Sequence, residues 1–154
     1  MIVQLEQLPP MRVGTLAHVG PYRCIPETFD RVERLLARRK GDAPARRKMV
    51  AFYHDDPALV HPLALRADAG VVLDEDAVLP RGLTDRRIPA GTYAYASLVG
   101  PYMGLGATWA EMVREWLPLF GRRRAPLAPF EVYAPTETAS ANRVSHSDLY
   151  APVL

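Results

Sequence analysis

The chain has 154 residues, of which 49% are hydrophobic and 23% are charged, and its formal net charge at pH 7 is +2. These values are typical of a globular protein with a packed core, and they exclude a disordered chain and a membrane protein. The length fits a single domain or two small fused repeats. The weak charge gives no indication of a direct nucleic-acid partner.

Three short basic runs, at residues 38–40, 46–48 and 122–124, are typical of solvated loops and helix ends. The single cysteine, Cys24, cannot form an internal disulfide, which fits a reducing compartment. The N-terminus does not resemble a signal peptide, and no apolar run reaches the roughly 18 residues that a membrane span needs. We therefore expect a cytoplasmic protein without a membrane partner.

The chain repeats itself at an offset of 80 residues. Residues 8–22 align without a gap with residues 88–102, and both segments end in Val-Gly-Pro-Tyr. The same offset places Tyr53 on Tyr133. Because a sustained offset indicates a duplicated structural unit, one domain built from two copies is predicted over residues 1–154. The predicted parts are repeat one over about 1–73, a linker over about 74–87 and repeat two over about 88–154.

Within each copy, the hydrophobic pattern predicts the order strand, helix, strand, strand. Residues 12–19 and 92–99 alternate and are rich in β-branched and aromatic residues, which favours strands. A helix follows in each copy, because apolar residues recur at spacings of four, three and four. These residues are Ile25, Phe29, Val32 and Leu36 in copy one, and Leu105, Trp109, Met112 and Trp116 in copy two. The later strands are predicted at 49–53, 63–73, 129–133 and 144–153.

The two copies are expected to pack together, because an isolated unit of about 75 residues buries little apolar surface. The sequence therefore predicts an α+β fold of two pseudo-symmetric βαββ repeats with antiparallel sheets and two helices. A ligand cleft is expected between the repeats. Pro118 and Gly121 are expected to end the second helix.

Glu131 is the clearest departure from the repeat, since Ala51 occupies the equivalent position in copy one. Strand alternation places Glu131 and Tyr133 on one face of an otherwise apolar strand. A carboxylate there costs free energy unless it is paired or faces water. One interpretation is therefore an exposed edge strand, or an ion pair with an arginine such as Arg12 or Arg66.

The other interpretation places Glu131 at the charged floor of an apolar cleft, where burial would raise the pKa of its carboxyl group. Aromatic side chains around one carboxylate would suit a flat cationic ligand. The ligand-binding candidates are Glu131, Tyr53, Tyr93, Tyr95, Trp109 and Tyr133. The segment His54-Asp55-Asp56 is better explained as a turn than as a metal site, so neither a metal nor a cofactor is expected.

Several motifs, taken in order, make this chain resemble the gyrase-inhibitor-like (GyrI-like) effector-binding family. They are Leu8-Pro-Pro-Met-Arg-Val13, His18-Val-Gly-Pro-Tyr22, Tyr53-His-Asp-Asp-Pro57, Leu65-Arg-Ala-Asp-Ala-Gly70, Ile88-Pro-Ala-Gly91, Val99-Gly-Pro-Tyr102, Trp116-Leu-Pro118, Pro129-Phe-Glu-Val-Tyr133 and Asp148-Leu-Tyr150. The resemblance implies paired βαββ repeats with a ligand cleft, and the acidic pocket residue of the family falls on Glu131. The chain begins at the first predicted strand without a helix-turn-helix segment, so a stand-alone member is expected.

The resemblance implies three alternative functions. The first is binding of a hydrophobic, cationic or electrophilic small molecule, a drug or toxin, for sequestration or sensing. The second is hydrolysis of a reactive cyclopropane-bearing toxin, with Glu131 activating water and a tyrosine such as Tyr133 or Tyr93 donating a proton. The third is a protein-interaction module, for instance one that modulates DNA gyrase. The chain itself is expected to be a monomer or a homodimer.

Overall fold

The computed structural model describes residues 2–37, 47–100, 105–133 and 145–154. Eight strands lie in these ranges: β1 Gln4–Leu8, β2 Met11–Val19, β3 Met49–Tyr53, β4 Arg66–Leu73, β5 Thr84–Ile88, β6 Gly91–Gly100, β7 Phe130–Tyr133 and β8 Ser145–Pro152. Two helical segments lie in the described ranges. The first is α1 Ile25–Ala37. The second is continuous and consists of α2 Leu105–Glu111, a π-helical continuation Met112–Trp116 and α3 Leu117–Leu119. Short 3-10 turns occupy Tyr22–Cys24 and Pro62–Ala64.

All eight strands form one curled antiparallel sheet in the order β1-β6-β8-β7-β3-β4-β2-β5. The order is symmetric about its centre, where β3 of repeat one pairs with the equivalent strand β7 of repeat two. The predicted α+β class and the duplicated architecture are confirmed. No helix in the described ranges is long and apolar enough to cross a membrane.

Two strands, β1 and β5, were not predicted, and they occupy equivalent positions in the two copies. Each pairs with the other copy, β1 with β6 and β5 with β2. Residues 84–87 of the predicted linker 74–87 therefore belong to a strand, and each copy has one strand more than expected. No hydrophobic alternation marks residues 84–88, because β5 is an edge strand whose first four residues, Thr84–Arg87, are all exposed.

The two helical segments cover one face of the sheet, one over each repeat. Helix α1 buries its apolar stripe against β3 and β4, and the contacting cluster includes Tyr133 from β7. Met112 and Leu117 of the second helical segment pack on β6 and β8. A third apolar cluster lies on the opposite face and contains Val13, Val50, Ile88, Tyr93, Phe130 and Val132.

The second helical segment ends as predicted, at Pro118 and Gly121. Gly121 has a φ of 64°, which is the left-handed conformation that glycine adopts at little cost. Its N–H donates to the Pro118 carbonyl at 3.0 Å, and the Arg122 N–H donates to the Leu117 carbonyl at 3.0 Å. This pair of hydrogen bonds is a Schellman motif, which satisfies the last carbonyls of the helix.

Candidate functional site

Glu131 lies on β7, in the middle of the sheet, and its exposed fraction is 0%. Its strand is flanked by β3 and β8, so that Ala51 and Leu149 are its neighbours across the sheet. The edge-strand interpretation is therefore wrong. The arginine interpretation is wrong as well, since Arg12 pairs with Asp85 and Arg66 pairs with Asp55.

Neither carboxylate oxygen of Glu131 has a hydrogen-bond partner among the described residues. Burial raises the pKa of this carboxyl group to about 8, because the charged form loses its hydration. The hydroxyls of Tyr133 and Ser147 lie beside the carboxyl group and favour its charged form, which offsets part of the rise in pKa. Neither hydroxyl has the geometry of a hydrogen bond to Glu131. At neutral pH the empty site therefore holds mostly a neutral carboxylic acid.

A pocket opens above Glu131 on the helix-covered face. Its lining residues come from both repeats: Tyr22, Tyr53, Asp55, Pro57, Trp109, Glu131 and Leu149. The empty volume is about 320 Å³ with the mouth included. The Trp109 indole Nε1 is also buried without a hydrogen-bond partner among the described residues. Two polar groups of the lining residues, the Glu131 carboxyl group and the Trp109 indole N–H, thus lack a hydrogen-bond partner within the described part of the chain.

Tyr22 and Tyr53 form the aromatic wall on the repeat-one side. The rings of Tyr22 and Tyr53 meet edge to face, with centroids 5.0 Å apart. The hydroxyls of Tyr53 and Tyr133 are hydrogen-bonded to each other at 3.0 Å. These two residues are equivalent in the repeat, so their contact lies at the junction of the two copies.

Polar contacts hold the rim of the pocket in place. The Tyr22 hydroxyl donates to the Asp55 carbonyl at 2.7 Å, and burial raises its pKa to about 12. The Asp55 carboxylate accepts two hydrogen bonds from the Arg66 guanidinium, which lowers the pKa of that carboxyl group. On the other side, the guanidinium of Arg124 lies 4.8 Å from the ring centroid of Trp109.

Of the predicted ligand-binding residues, Tyr53, Trp109 and Glu131 line the pocket, and Tyr133 adjoins it through the Tyr53 hydroxyl. Tyr93 and Tyr95 do not line it. Strand pairing places Tyr95 beside Tyr150 and Tyr150 beside Phe130, so these rings share the face opposite to Glu131.

Tyr93 and Tyr95 have structural partners on that opposite face. The Tyr93 hydroxyl donates to the Pro89 carbonyl, and its ring packs on Phe130. The Tyr95 hydroxyl donates to the Asp148 carboxylate at 2.9 Å.

Four lining residues were not among the predicted site residues: Tyr22, Asp55, Pro57 and Leu149. A signal for three of them was available, because they belong to the motifs Val-Gly-Pro-Tyr22 and Tyr53-His-Asp-Asp-Pro57. Leu149 carries no signal apart from its place in an apolar strand. Within the described ranges, no group of three or more histidine, cysteine or acidic residues could hold a metal ion.

The fold and the pocket together define a duplicated α+β ligand-binding domain. The sequence profile of the GyrI-like small molecule binding domain matches residues 1–154, so the chain belongs to that family. A protein of Yersinia enterocolitica named DNA gyrase inhibitor is 31% identical over 138 residues, which is 86% of each chain.

Solved structures share the fold, and two examples follow with their similarity. The protein SAV2435, solved bound to tetraphenylphosphonium, superposes with a TM-score of 0.60 at 14% identity, covering 100% of this chain and 94% of its own. A hydrolase from Listeria innocua superposes with a TM-score of 0.66 at 12% identity, covering 99% of this chain and 91% of its own.

Proposed function

We propose that this domain binds lipophilic organic cations in the Glu131 pocket, for sequestration or sensing of a drug or toxin. The observation that carries the proposal is the fully buried carboxyl group without a hydrogen-bond partner among the described residues. Such a group costs stability in the empty protein, since its charged form is poorly solvated. A bound cation would supply the missing counter-charge.

The wall of the pocket favours the same class of ligand. Tyr22, Tyr53 and Trp109 present aromatic rings, which attract a cation over their faces and an apolar ring by dispersion. A neighbouring cation also interacts strongly with a carboxylate that is shielded from water. SAV2435 offers a precedent within the fold, because it was solved with a lipophilic cation.

The size of the pocket limits the ligand. The space between the described walls is small, since the value of about 320 Å³ includes the open mouth. A cation as large as tetraphenylphosphonium therefore requires the Trp109 side to move outward.

Tetraphenylphosphonium and tetraphenylborate test the charge preference, because they have nearly the same size and opposite charges. At pH 9 we expect calorimetric titration to give an affinity at least about tenfold higher for the phosphonium cation. Equal affinities, or stronger binding of the borate anion, would contradict a cation site.

Hydrolysis is a second candidate function, favoured by the hydrogen-bonded hydroxyls of Tyr53 and Tyr133 beside Glu131. A carboxyl group with a pKa near neutrality is suited to general acid or base catalysis. Glu131 would take a proton from water as the water oxygen bonds to a strained ring carbon. The carbon–carbon bond of the ring would break, its electron pair would pass to a conjugated carbonyl oxygen, and a tyrosine hydroxyl would protonate that oxygen. The proton held by Glu131 would then restore the tyrosine. Tyr93 is not suited to this role, since it lies on the other face of the sheet.

For this second candidate, we expect mass spectrometry to detect a water adduct of a cyclopropane-bearing DNA alkylator above the enzyme-free control. Tyr133→Phe should lower the rate at least about tenfold, because it removes the proton donor. It should leave tetraphenylphosphonium affinity within about threefold, since the pocket charge is unchanged. No product above the control would refute turnover of this substrate, while binding would remain a separate result.

A further inference from the structure

Trp109 carries a polar group that the equivalent residue of repeat one lacks. At the offset of 80 residues this equivalent is Phe29, whose side chain is fully buried and has no polar atom. The ring of Phe29 packs edge to face on Tyr133, with centroids 5.6 Å apart. An apolar ring therefore satisfies the packing at this place in the fold, and the indole N–H is not needed for it.

The two unpartnered polar groups of the pocket are thus both departures from the repeat. Repeat one has Phe29 where repeat two has Trp109, and Ala51 where repeat two has Glu131. Each polar group is buried without a hydrogen-bond partner among the described residues, and both residues line the same pocket. A buried polar group without a partner lowers stability. A bound molecule that contacts both groups would offset this loss.

The two tryptophans of the chain differ in how their indole N–H groups are used. The Trp116 indole N–H donates to the Glu111 carboxylate at 3.4 Å. The Trp109 indole has the Arg124 guanidinium over one face, 4.8 Å from the ring centroid, and this contact leaves Nε1 without an acceptor in the described ranges. Because Arg124 covers that face, a ligand meets the indole at its other face or at its edge, which includes Nε1.

We propose that the ligand of this pocket carries a neutral hydrogen-bond acceptor, such as a carbonyl or ether oxygen, in addition to its positive charge. The acceptor takes the hydrogen bond of the Trp109 indole N–H, while the cationic centre lies beside the Glu131 carboxylate. An anionic acceptor is unsuited, because the Glu131 charge would repel it. A cation without an acceptor leaves the indole N–H unpartnered and therefore binds more weakly. The inference rests on the proposed cation site and narrows the class of its ligands.

Two pairs of small cations test this inference at pH 9. They are the 3- and 4-acetyl derivatives of N,N,N-trimethylanilinium, each compared with its isopropyl counterpart, which has nearly the same shape and no acceptor. The pKa of the Glu131 carboxyl group is about 8, so at pH 9 this group is mostly ionised and does not donate to the ligand carbonyl. Titration calorimetry gives the ratio of acetyl to isopropyl affinity for each protein.

Trp109→Phe should lower this affinity ratio at least about tenfold for one or both isomers, because it removes the donor and keeps an aromatic ring. Comparing ratios cancels the difference in hydrophobicity between the two ligands. Phenylalanine is also the residue that repeat one has at this place, so the fold accepts its ring. Trp116→Phe is the matched control, since it makes the same change in the same helical segment outside the pocket lining. Its ratio should stay within about threefold of the wild-type ratio.

Nuclear magnetic resonance of the wild-type protein measures the same contact without relying on a variant of Trp109. The two tryptophans give two indole N–H signals, which Trp116→Phe assigns. At saturation, the acetyl cation should move the Trp109 signal further downfield than the isopropyl cation does, because its carbonyl accepts the hydrogen bond.

Three results would overturn the role of the indole N–H. They are an affinity ratio that is the same in wild type and Trp109→Phe for both isomers, an equal change of the ratio in Trp116→Phe, and equal shifts of the Trp109 signal with both ligands. Each of these results leaves the cation site intact. Failure of tetraphenylphosphonium and of all four small cations to bind would instead overturn the cation site, and this inference with it.

Discussion

Replacing Glu131 by Gln is expected to weaken tetraphenylphosphonium binding by about 100-fold at pH 9. The substitution keeps the shape of the side chain and removes its charge, in a pocket that shields the charge from water. Two unit charges about 4 Å apart interact by about 4 kcal/mol at an effective dielectric constant of 20, and a 100-fold loss corresponds to about 3 kcal/mol of this. Titration calorimetry of both proteins measures the difference.

The same difference should disappear as the pH falls. The pKa of the Glu131 carboxyl group is about 8. At a lower pH the wild-type carboxyl group holds a proton, which the incoming cation must displace. Wild-type affinity is therefore expected to fall about tenfold per pH unit, so that both proteins bind alike near pH 6. Asp55 and Tyr22 also line the pocket, but their shifted pKa values keep their charges constant between pH 6 and 9.

Glu115→Gln is the matched control, because it makes the same change at an exposed position of the second helical segment. Its affinity should follow the wild-type curve at every pH. A pH-dependent affinity that persists in Glu131→Gln, or a wild-type affinity that is flat from pH 6 to 9, would refute the role of this carboxylate.

The second large effect concerns stability, which Glu131→Gln is expected to increase in alkaline solution. Between pH 4.5 and 8 the unfolded chain has lost the Glu131 proton, while the folded protein keeps it. Folding then takes up a proton, so wild-type stability falls as the pH rises through this window. The stabilisation of the variant over the wild type should grow by about 1.4 kcal/mol per pH unit, to about 4 kcal/mol at pH 8.

Urea denaturation of the two proteins at intervals from pH 5 to 9 checks this expectation. Near pH 5 the wild-type side chain is a neutral acid, so the two free energies of unfolding should nearly coincide. Glu115→Gln should show no comparable trend. A stability difference that does not change with pH would mean that Glu131 titrates alike in the folded and unfolded states.

The scaffold could be predicted because short stretches of sequence determine its helices and strands, and because the duplication is visible in the sequence itself. The spacing of Ile25, Phe29 and Val32 indicates a helix within a few residues, and the offset of 80 reports the duplication directly. The predictions for α1, for the central strands and for the Gly121 helix end were confirmed on that basis.

The face of the sheet on which each side chain lies could not be predicted in the same way. Alternation correctly grouped Tyr93 with Tyr95 and Glu131 with Tyr133. The relation between the two groups depends on the register across β6, β8 and β7, which is set by pairing between distant segments. Tyr22 and Trp109 likewise meet in the pocket only through the packing of both repeats.

Strands β1 and β5, each of which pairs with the other repeat, limit how a ligand can reach the pocket. Each repeat contributes a strand that is hydrogen-bonded within the sheet of the other repeat, so separating the halves would break two ladders as well as the central one. We therefore expect a ligand to enter by displacement of the segments packed above the sheet, around Trp109 and Pro57, and not by a hinge motion between the halves. The sheet would stay a fixed platform while this cover adapts to guests of different size.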